Sequence, residues 1–188
     1  MAVKAKKPVT KKPVTTRTRP HACDAHCFGA AAGKSTAGGK SIDELDLVSY
    51  ARAAAEALRK KYPQLVFNSG RRNSQQQAHA MSANVASNRR WIQQTYAKSA
   101  QSAELQAWVN SHPQAKTAQA IEAGLAGVMA NWTDAQKRSL SQHFSGEAFD
   151  IQPLPGNAEV IASIKALPRL HQFLQKEGGL VVWHAAFK

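Results

Sequence analysis

The sequence predicts an α+β domain that follows a basic N-terminal tail. Three short apolar runs predict strands, at residues 65–67, 149–151 and 180–184, and each stands beside glycine or proline residues. Most of the remaining chain after residue 40 shows helical periodicity. Helices combined with a few short strands are typical of an α+β domain.

The first 40 residues predict a disordered tail. Lys, Pro, Thr, Gly and Ala dominate them, and this composition cannot bury enough apolar surface to fold. They hold nine of the 25 Lys/Arg residues and one of the 12 acidic residues, so +8 of the formal net charge of +13 lies here. Cys23 and Cys27, in the stretch HACDAHC, could bind a metal, form a disulfide or remain idle thiols. The predicted domains are therefore a tail, 1–40, and a folded domain, 41–188.

The first helix is predicted to begin at Ser41. Ser41 and Glu44 have the spacing of a capping box, in which a hydroxyl and a carboxylate satisfy the free N–H groups of the first turn. Apolar residues then recur at helical spacing as far as Leu58, and Pro63 ends the helix.

Two further helical regions are predicted around the strands. Residues 74–130 are rich in Gln and Ala and predict helices with breaks near residues 110–113 and 131–133. Residues 157–176 predict another helix, interrupted or restarted at Pro168.

Composition limits the classes of protein to consider. No run of eighteen apolar residues is present, so no membrane span is expected. The basic N-terminus lacks an apolar core segment, so no Sec signal is expected. A net charge of +13 attracts polyanions such as nucleic acid, anionic lipid or the bacterial wall, without choosing among them.

The segment from Ser141 to Asp150 carries the chemistry that we expect. A catalytic zinc takes three nitrogen or oxygen ligands from the protein and keeps its fourth position for water. His143 offers an imidazole, Asp150 offers a carboxylate, and Gly146 lets the backbone turn between them. His184 is the best third ligand because it also ends a strand, and neighbouring strands would place it beside Asp150.

This pattern resembles the D-Ala-D-Ala carboxypeptidase and hedgehog-type family of zinc peptidases. The motif Ser-x-His-x-x-Gly-x-Ala-x-Asp is complete at residues 141–150, and Trp183-His184 matches the second element. The upstream element Ser-Gly-x-Arg matches residues 69–72. The resemblance covers about residues 65–188, in the family's order.

The resemblance implies a small antiparallel sheet with surrounding helices. It implies one Zn²⁺ held by His143, Asp150 and His184. It also implies that Arg72 grips a substrate carboxylate or polarises the scissile carbonyl, and that Ser141 helps to bind substrate. The implied activity is that of a peptidoglycan peptidase, a carboxypeptidase or endopeptidase that cuts next to a D-amino acid.

One departure concerns the catalytic base. The family usually has Glu or Asp three residues before the last histidine ligand, where this chain has Val181. Glu177 is the replacement that we favour, and His171 is a second candidate. The alternative is a member that binds wall peptide with impaired chemistry.

The expected setting follows from these features. A chain made in the cytoplasm without a Sec signal would act in the periplasm or cell wall, as a phage lysin or a secreted antibacterial effector. Its expected partners are wall peptide and a secretion-machinery or immunity protein. A different class, a nucleic-acid-binding protein that uses the basic tail, is the alternative. Nucleic acid is not the expected partner, because no helix-turn-helix or zinc-finger spacing is present.

Overall fold

The predicted α+β class is confirmed. The structure, a computed structural model, describes residues 38–154 and 156–188. These residues form seven α-helices and one antiparallel sheet of four strands. Among them, no helix has the length and apolar character needed to cross a membrane. The stretch with Cys23 and Cys27, and all of the predicted tail except residues 38–40, lies outside the described residues.

The helices are α1 (Ser49–Lys61), α2 (Ser74–Ser87), α3 (Trp91–Thr95), α4 (Ala100–Ser111), α5 (Ala118–Ala130), α6 (Asp134–Leu140) and α7 (Ala158–Lys165). The strands are β1 (Phe67–Ser69), β2 (Ala148–Ile151), β3 (Leu170–Glu177) and β4 (Leu180–Phe187). Two 3₁₀ turns cover Asp43–Leu45 and Gln142–Ser145. The strand order across the sheet is β1-β2-β4-β3, and each neighbouring pair is antiparallel.

The start of the first helix differs from the prediction. The capping box is present, since the Ser41 N–H donates to the Glu44 carboxylate over 2.7 Å and the Glu44 N–H donates to Ser41 Oγ over 3.3 Å. It caps only the first 3₁₀ turn, because Asp46 adopts a left-handed backbone with a φ of 48°. The Leu45 carbonyl instead accepts from the Arg71 N–H, so α1 begins only after this break.

The middle of the chain contains more helix ends than predicted. The breaks near residues 110–113 and 131–133 are confirmed, but the chain also turns at residues 88–90 and 96–99. The first extra turn is held by Arg89, whose guanidinium donates to the carbonyls of Ala115 and His112 beyond α4. Such long-range contacts cannot be predicted from local periodicity.

The prediction of one helix over residues 157–176 is wrong for the second half of that range. α7 ends at Lys165, and the following residues form β3, which pairs with β4 from Leu170 opposite Phe187 to Glu177 opposite Leu180. Tertiary pairing decides the conformation here, because the backbone of β3 completes the sheet edge beside β4. The strand predicted at 149–151 is confirmed, and β1 lies about two residues later than predicted.

Two clusters of buried side chains support the fold. One packs the sheet against α1 and α7 and includes Leu58, Phe67, Phe149, Ile164 and Phe187. The other joins α2 to α6 and includes Met81, Ile92, Leu105, Leu125 and Trp132.

The two glycines of α5 provide a matched test of this packing. A methyl group on Gly124 would lie 1.7 Å from Trp108 Cζ2, whereas one on Gly127 would meet no atom within 4 Å. We expect Gly124→Ala to lower the free energy of unfolding by about 1–3 kcal/mol, because the indole must move. We expect Gly127→Ala to raise it by about 0.5–1 kcal/mol, because alanine favours a helix interior. Denaturant unfolding measures both, and equal free energies for the two variants would contradict the packing.

Candidate metal centre

The structure brings the three predicted metal ligands together. His143, Asp150 and His184 are 2%, 6% and 8% exposed, and one possible ligand atom of each lies within 4.8 Å of the other two. Asp150 pairs with His184 across β2 and β4, and with Ser69 across β1 and β2. Paired residues share a face of the sheet, so this row of three strands presents both ligands on one side.

His143 reaches the same point from a short turn. Ser141 Oγ accepts from the His143 N–H over 3.3 Å at the start of this 3₁₀ turn. Gly146 ends the turn with a φ of 74°, a left-handed conformation that favours glycine. The His143 carbonyl accepts from the Arg72 N–H over 3.0 Å, which ties the turn to the loop after β1. The turn therefore fixes the position of the ring.

A carbonyl group sets the tautomer of His143. His143 Nδ1 lies 2.6 Å from the Gly70 carbonyl oxygen, which can only accept a hydrogen bond. Nδ1 therefore carries the proton, and the lone pair of Nε2 faces the other two ligands. A hydrogen bond from the ring nitrogen that does not bind the metal is typical of metal-binding histidines.

The donor atoms lie close enough together to share one metal ion. His184 Nδ1 lies 2.9 Å from Asp150 Oδ1 and 3.2 Å from His143 Nε2, and His143 Nε2 lies 3.3 Å from Asp150 Oδ1. Ligands on a tetrahedral zinc with bonds of about 2.0–2.1 Å lie about 3.3 Å apart. Two imidazole nitrogens and one carboxylate oxygen also match the ligand types of a catalytic zinc site. The residues present therefore fit this ion.

The guanidinium of Arg72 is directed toward the carboxylate of Asp150, one of the three predicted metal ligands. Its Nη2 donates to Asp150 Oδ2 and, over 2.6 Å, to Ser69 Oγ, and the Ser69 hydroxyl donates to Asp150 Oδ2 over 2.7 Å. Arg72 Nη1 donates to Gln77 Oε1 over 3.3 Å. These contacts occupy the outer carboxylate oxygen and leave Oδ1 facing the histidines. The predicted substrate contact of Arg72 would use its remaining donors.

Burial and charge set the protonation of the cluster. Burial, together with the positive charge of Arg72, lowers the pKa of His143 to about 4. Burial disfavours the ionised form of Asp150, but its neighbours His143 and Arg72 and the hydrogen bond from His184 hold its pKa well below the ordinary value. Burial also opposes the charge on His184, yet the hydrogen bond and charge of Asp150, aided by Glu177, raise its pKa. Of the two histidines in the metal-free cluster, His184 is therefore the one that is protonated more readily.

Glu177 lies at the end of β3, beside the centre. Burial raises the pKa of its carboxyl, the negative charge of Asp150 adds to this, and His184 and Arg72 oppose it. Gly178 follows Glu177, and its carbonyl accepts from Trp91 Nε1 over 3.1 Å, so the end of the hairpin is held against α3. Val181 is 65% exposed, and His171 lies exposed near the other end of β3.

Two residues of the site were missed in the sequence. Gln77 is 1% exposed, and its Nε2 donates to the Tyr96 hydroxyl over 2.8 Å, which extends the Arg72 contacts to the end of α3. A sequence signal did exist for Gln77, because this glutamine shares a helix face with Met81, where apolar residues are expected. Tyr96 follows an unpredicted helix end and had no such signal. The predicted role of Ser141 in substrate binding stays a prediction, since its hydroxyl caps the turn of His143.

The first prediction from this geometry concerns metal content. We expect the full chain to bind one zinc ion here and His143→Ala to lose it, because only two ligands would remain. A thousandfold excess of zinc over its dissociation constant stabilises the fold by about 4 kcal/mol, or roughly 8–16 °C for a domain of this size.

Elemental analysis after gel filtration and thermal unfolding measure this effect. His79→Ala is the matched control, because His79 contacts Glu122 over 2.7 Å, away from the three ligands. Full zinc content in His143→Ala would contradict the site.

The second prediction concerns pH. The raised pKa of His184, above its ordinary 6.5, means that zinc must displace a proton from this ring. We expect affinity to fall by about tenfold per pH unit below the pKa of folded His184, with about one proton released per ion. In the metal-free protein the same raised pKa stabilises the fold in acid, and this contribution is lost as the pH rises through it. Competition titrations between about pH 5.5 and 8 test this, and a constant affinity would contradict it.

Comparisons of the chain with protein-family models, with curated proteins and with solved structures gave no match. The resemblance to the D-Ala-D-Ala carboxypeptidase and hedgehog-type family therefore rests on the motif residues of the sequence. The buried group of His143, Asp150 and His184 is the feature of the structure from which a function can be proposed.

Proposed function

We propose that the protein is a zinc-dependent peptidoglycan peptidase that cleaves a wall-peptide bond next to a D-amino acid. The single observation that supports this most is the convergence of two imidazoles and one carboxylate at separations of 2.9–3.3 Å. These three residues are also the ligands implied by the family motif. A four-stranded antiparallel sheet with surrounding helices is compatible with the hedgehog-type fold in this proposal.

The chemistry assigns a role to each neighbour of the centre. Zinc bound there would polarise an amide carbonyl and activate a water molecule for attack on it. Arg72 keeps Asp150 oriented and adds positive charge where negative charge develops on the carbonyl oxygen. Glu177 accepts a proton and returns it to the leaving amine, and a raised pKa suits this exchange near neutral pH.

A second candidate is a member of the same fold that binds wall peptide without cleaving it. It is favoured by Val181, which occupies the position where the resemblance implies an acid and cannot transfer a proton. In the active alternative, Glu177 replaces that acid. It is the last residue of the partner strand β3, three residues before β4 begins at Leu180.

The setting is part of the same proposal. The peptidase would act in the periplasm or cell wall, as a lysin or a delivered antibacterial effector. The basic tail would help it bind the anionic wall or a loading partner. The nucleic-acid alternative depends on the tail, most of which lies outside the described residues.

Digestion of purified peptidoglycan tests the activity. We expect the zinc-loaded wild type to release shortened or separated stem peptides, visible by mass spectrometry of muropeptides, and His184→Ala to release none. The reason is that His184 supplies one of three ligands. His79→Ala should digest like wild type, since it lies outside the centre.

The variant Glu177→Gln distinguishes the active peptidase from a member that binds wall peptide without cleaving it. It keeps the size of the side chain and removes proton transfer, so we expect zinc to remain bound while the rate falls by about 10²–10⁴-fold. A zinc-loaded wild type that binds wall peptide but leaves it intact would favour the impaired member. Equal digestion by wild type and His184→Ala would contradict a metal-dependent reaction.

A further inference from the structure

A hydrogen-bond donor without an acceptor stands at the edge of the metal centre. Arginine can only donate hydrogen bonds, so the Gln77 atom that contacts Arg72 Nη1 must be its carbonyl oxygen. The Gln77 amide nitrogen is then the atom that lies 2.8 Å from the Tyr96 hydroxyl, and it must donate. Tyr96 therefore accepts from Gln77, and its own O–H proton meets no acceptor among the described residues.

The orientations of the Gln77 amide and the Tyr96 ring are fixed by their contacts. Gln77 is 1% exposed, and both ends of its amide are engaged. The Tyr96 ring packs edge-on against Trp91, with ring centres 5.8 Å apart and planes at 81°. Trp91 in turn holds the Gly178 carbonyl, next to Glu177. Tyr96 and the proposed base are thus connected through the contacts of Trp91.

The Tyr96 side chain is half-buried. It forms part of the wall of an open groove of about 430 Å³, where α3, the following loop and α4 meet. The charges that act on its hydroxyl are those of Glu177, Arg72 and Asp150, which are the residues of the metal centre and its surroundings.

We infer that Tyr96 contacts the substrate: its hydroxyl, oriented by Gln77, donates a hydrogen bond to the carbonyl oxygen of a wall peptide bound at the metal centre. Tyr96 is then a catalytic residue and Gln77 a positioning residue. This inference rests on the proposed peptidase function. Burial raises the pKa of the Tyr96 hydroxyl, so it stays a donor across the working pH range and does not serve as a base.

A tetrahedral analogue gives a test that does not depend on turnover. The probe is the phosphinate analogue of D-Ala-D-Ala, whose charged oxygens imitate the oxyanion of the attacked amide. Calorimetric titration of the zinc-loaded full chain with this probe compares wild type with Tyr96→Phe. We expect Tyr96→Phe to keep its zinc and its melting temperature while the dissociation constant rises about 10–100-fold, as for loss of one hydrogen bond to a charged group.

Tyr62→Phe is the matched control. Tyr62 is a buried tyrosine whose hydroxyl contacts Glu159 over 3.0 Å and Ser163 over 2.7 Å, with no metal-centre residue among its partners. Its removal should leave the dissociation constant unchanged. A substrate-contacting Tyr96 should also lower kcat/KM on muropeptides by a factor similar to the loss of phosphinate affinity.

A second measurement applies if Tyr96→Phe fails to fold. 3-Fluorotyrosine placed at position 96 keeps the hydroxyl, and its fluorine resonance should shift when the phosphinate is added. An unchanged resonance, or equal affinity in wild type and Tyr96→Phe, would overturn the role of Tyr96 while leaving the peptidase proposal intact. Zinc-loaded wild type that neither binds the phosphinate nor digests peptidoglycan would overturn both, and if it digests peptidoglycan without binding the phosphinate, equal kcat/KM of wild type and Tyr96→Phe on muropeptides would overturn the role of Tyr96 alone.

Discussion

The fold around the site depends on one buried carboxylate. Asp150 is 6% exposed, and an ionised carboxylate in such a place is costly unless it is paired and hydrogen-bonded. Its partners come from three other segments: Ser69 on β1, Arg72 in the loop after β1, and His184 on β4. Removal of one partner from a buried pair typically costs about 3–5 kcal/mol. The strands and the loop must therefore all be in place before the charge is satisfied.

This constraint links the two hydrophobic clusters. The sheet, which belongs to one cluster, supplies Asp150 and His184. Helix α2, which belongs to the other, supplies Gln77, and α3 supplies the Trp91 contact to the β3–β4 hairpin. A polar network thus lies where both clusters meet. Hydrogen bonds orient the side chains of this network, which suits the proposed role of holding an ion and a substrate in one geometry.

Much of this site could be predicted from the sequence, but less of the fold could be. His143, Gly146 and Asp150 share one local motif, so their spacing alone indicated a turn followed by a strand. His184 could be added because it ends a second apolar run. Residues 170–177 could not be assigned from their own pattern, because their strand conformation depends on pairing with β4. Tyr96 and Trp91 reach the site through contacts across the chain, which periodicity does not record.

X-ray absorption at the zinc edge tests the central claim most directly, because it reads the ligand atoms themselves. The proposed centre predicts a first shell of nitrogen and oxygen only, at about 2.0–2.1 Å, with the scattering pattern of two imidazole rings. Sulfur at about 2.3 Å would place the ion on Cys23 and Cys27 instead, and would contradict a centre built from His143, Asp150 and His184.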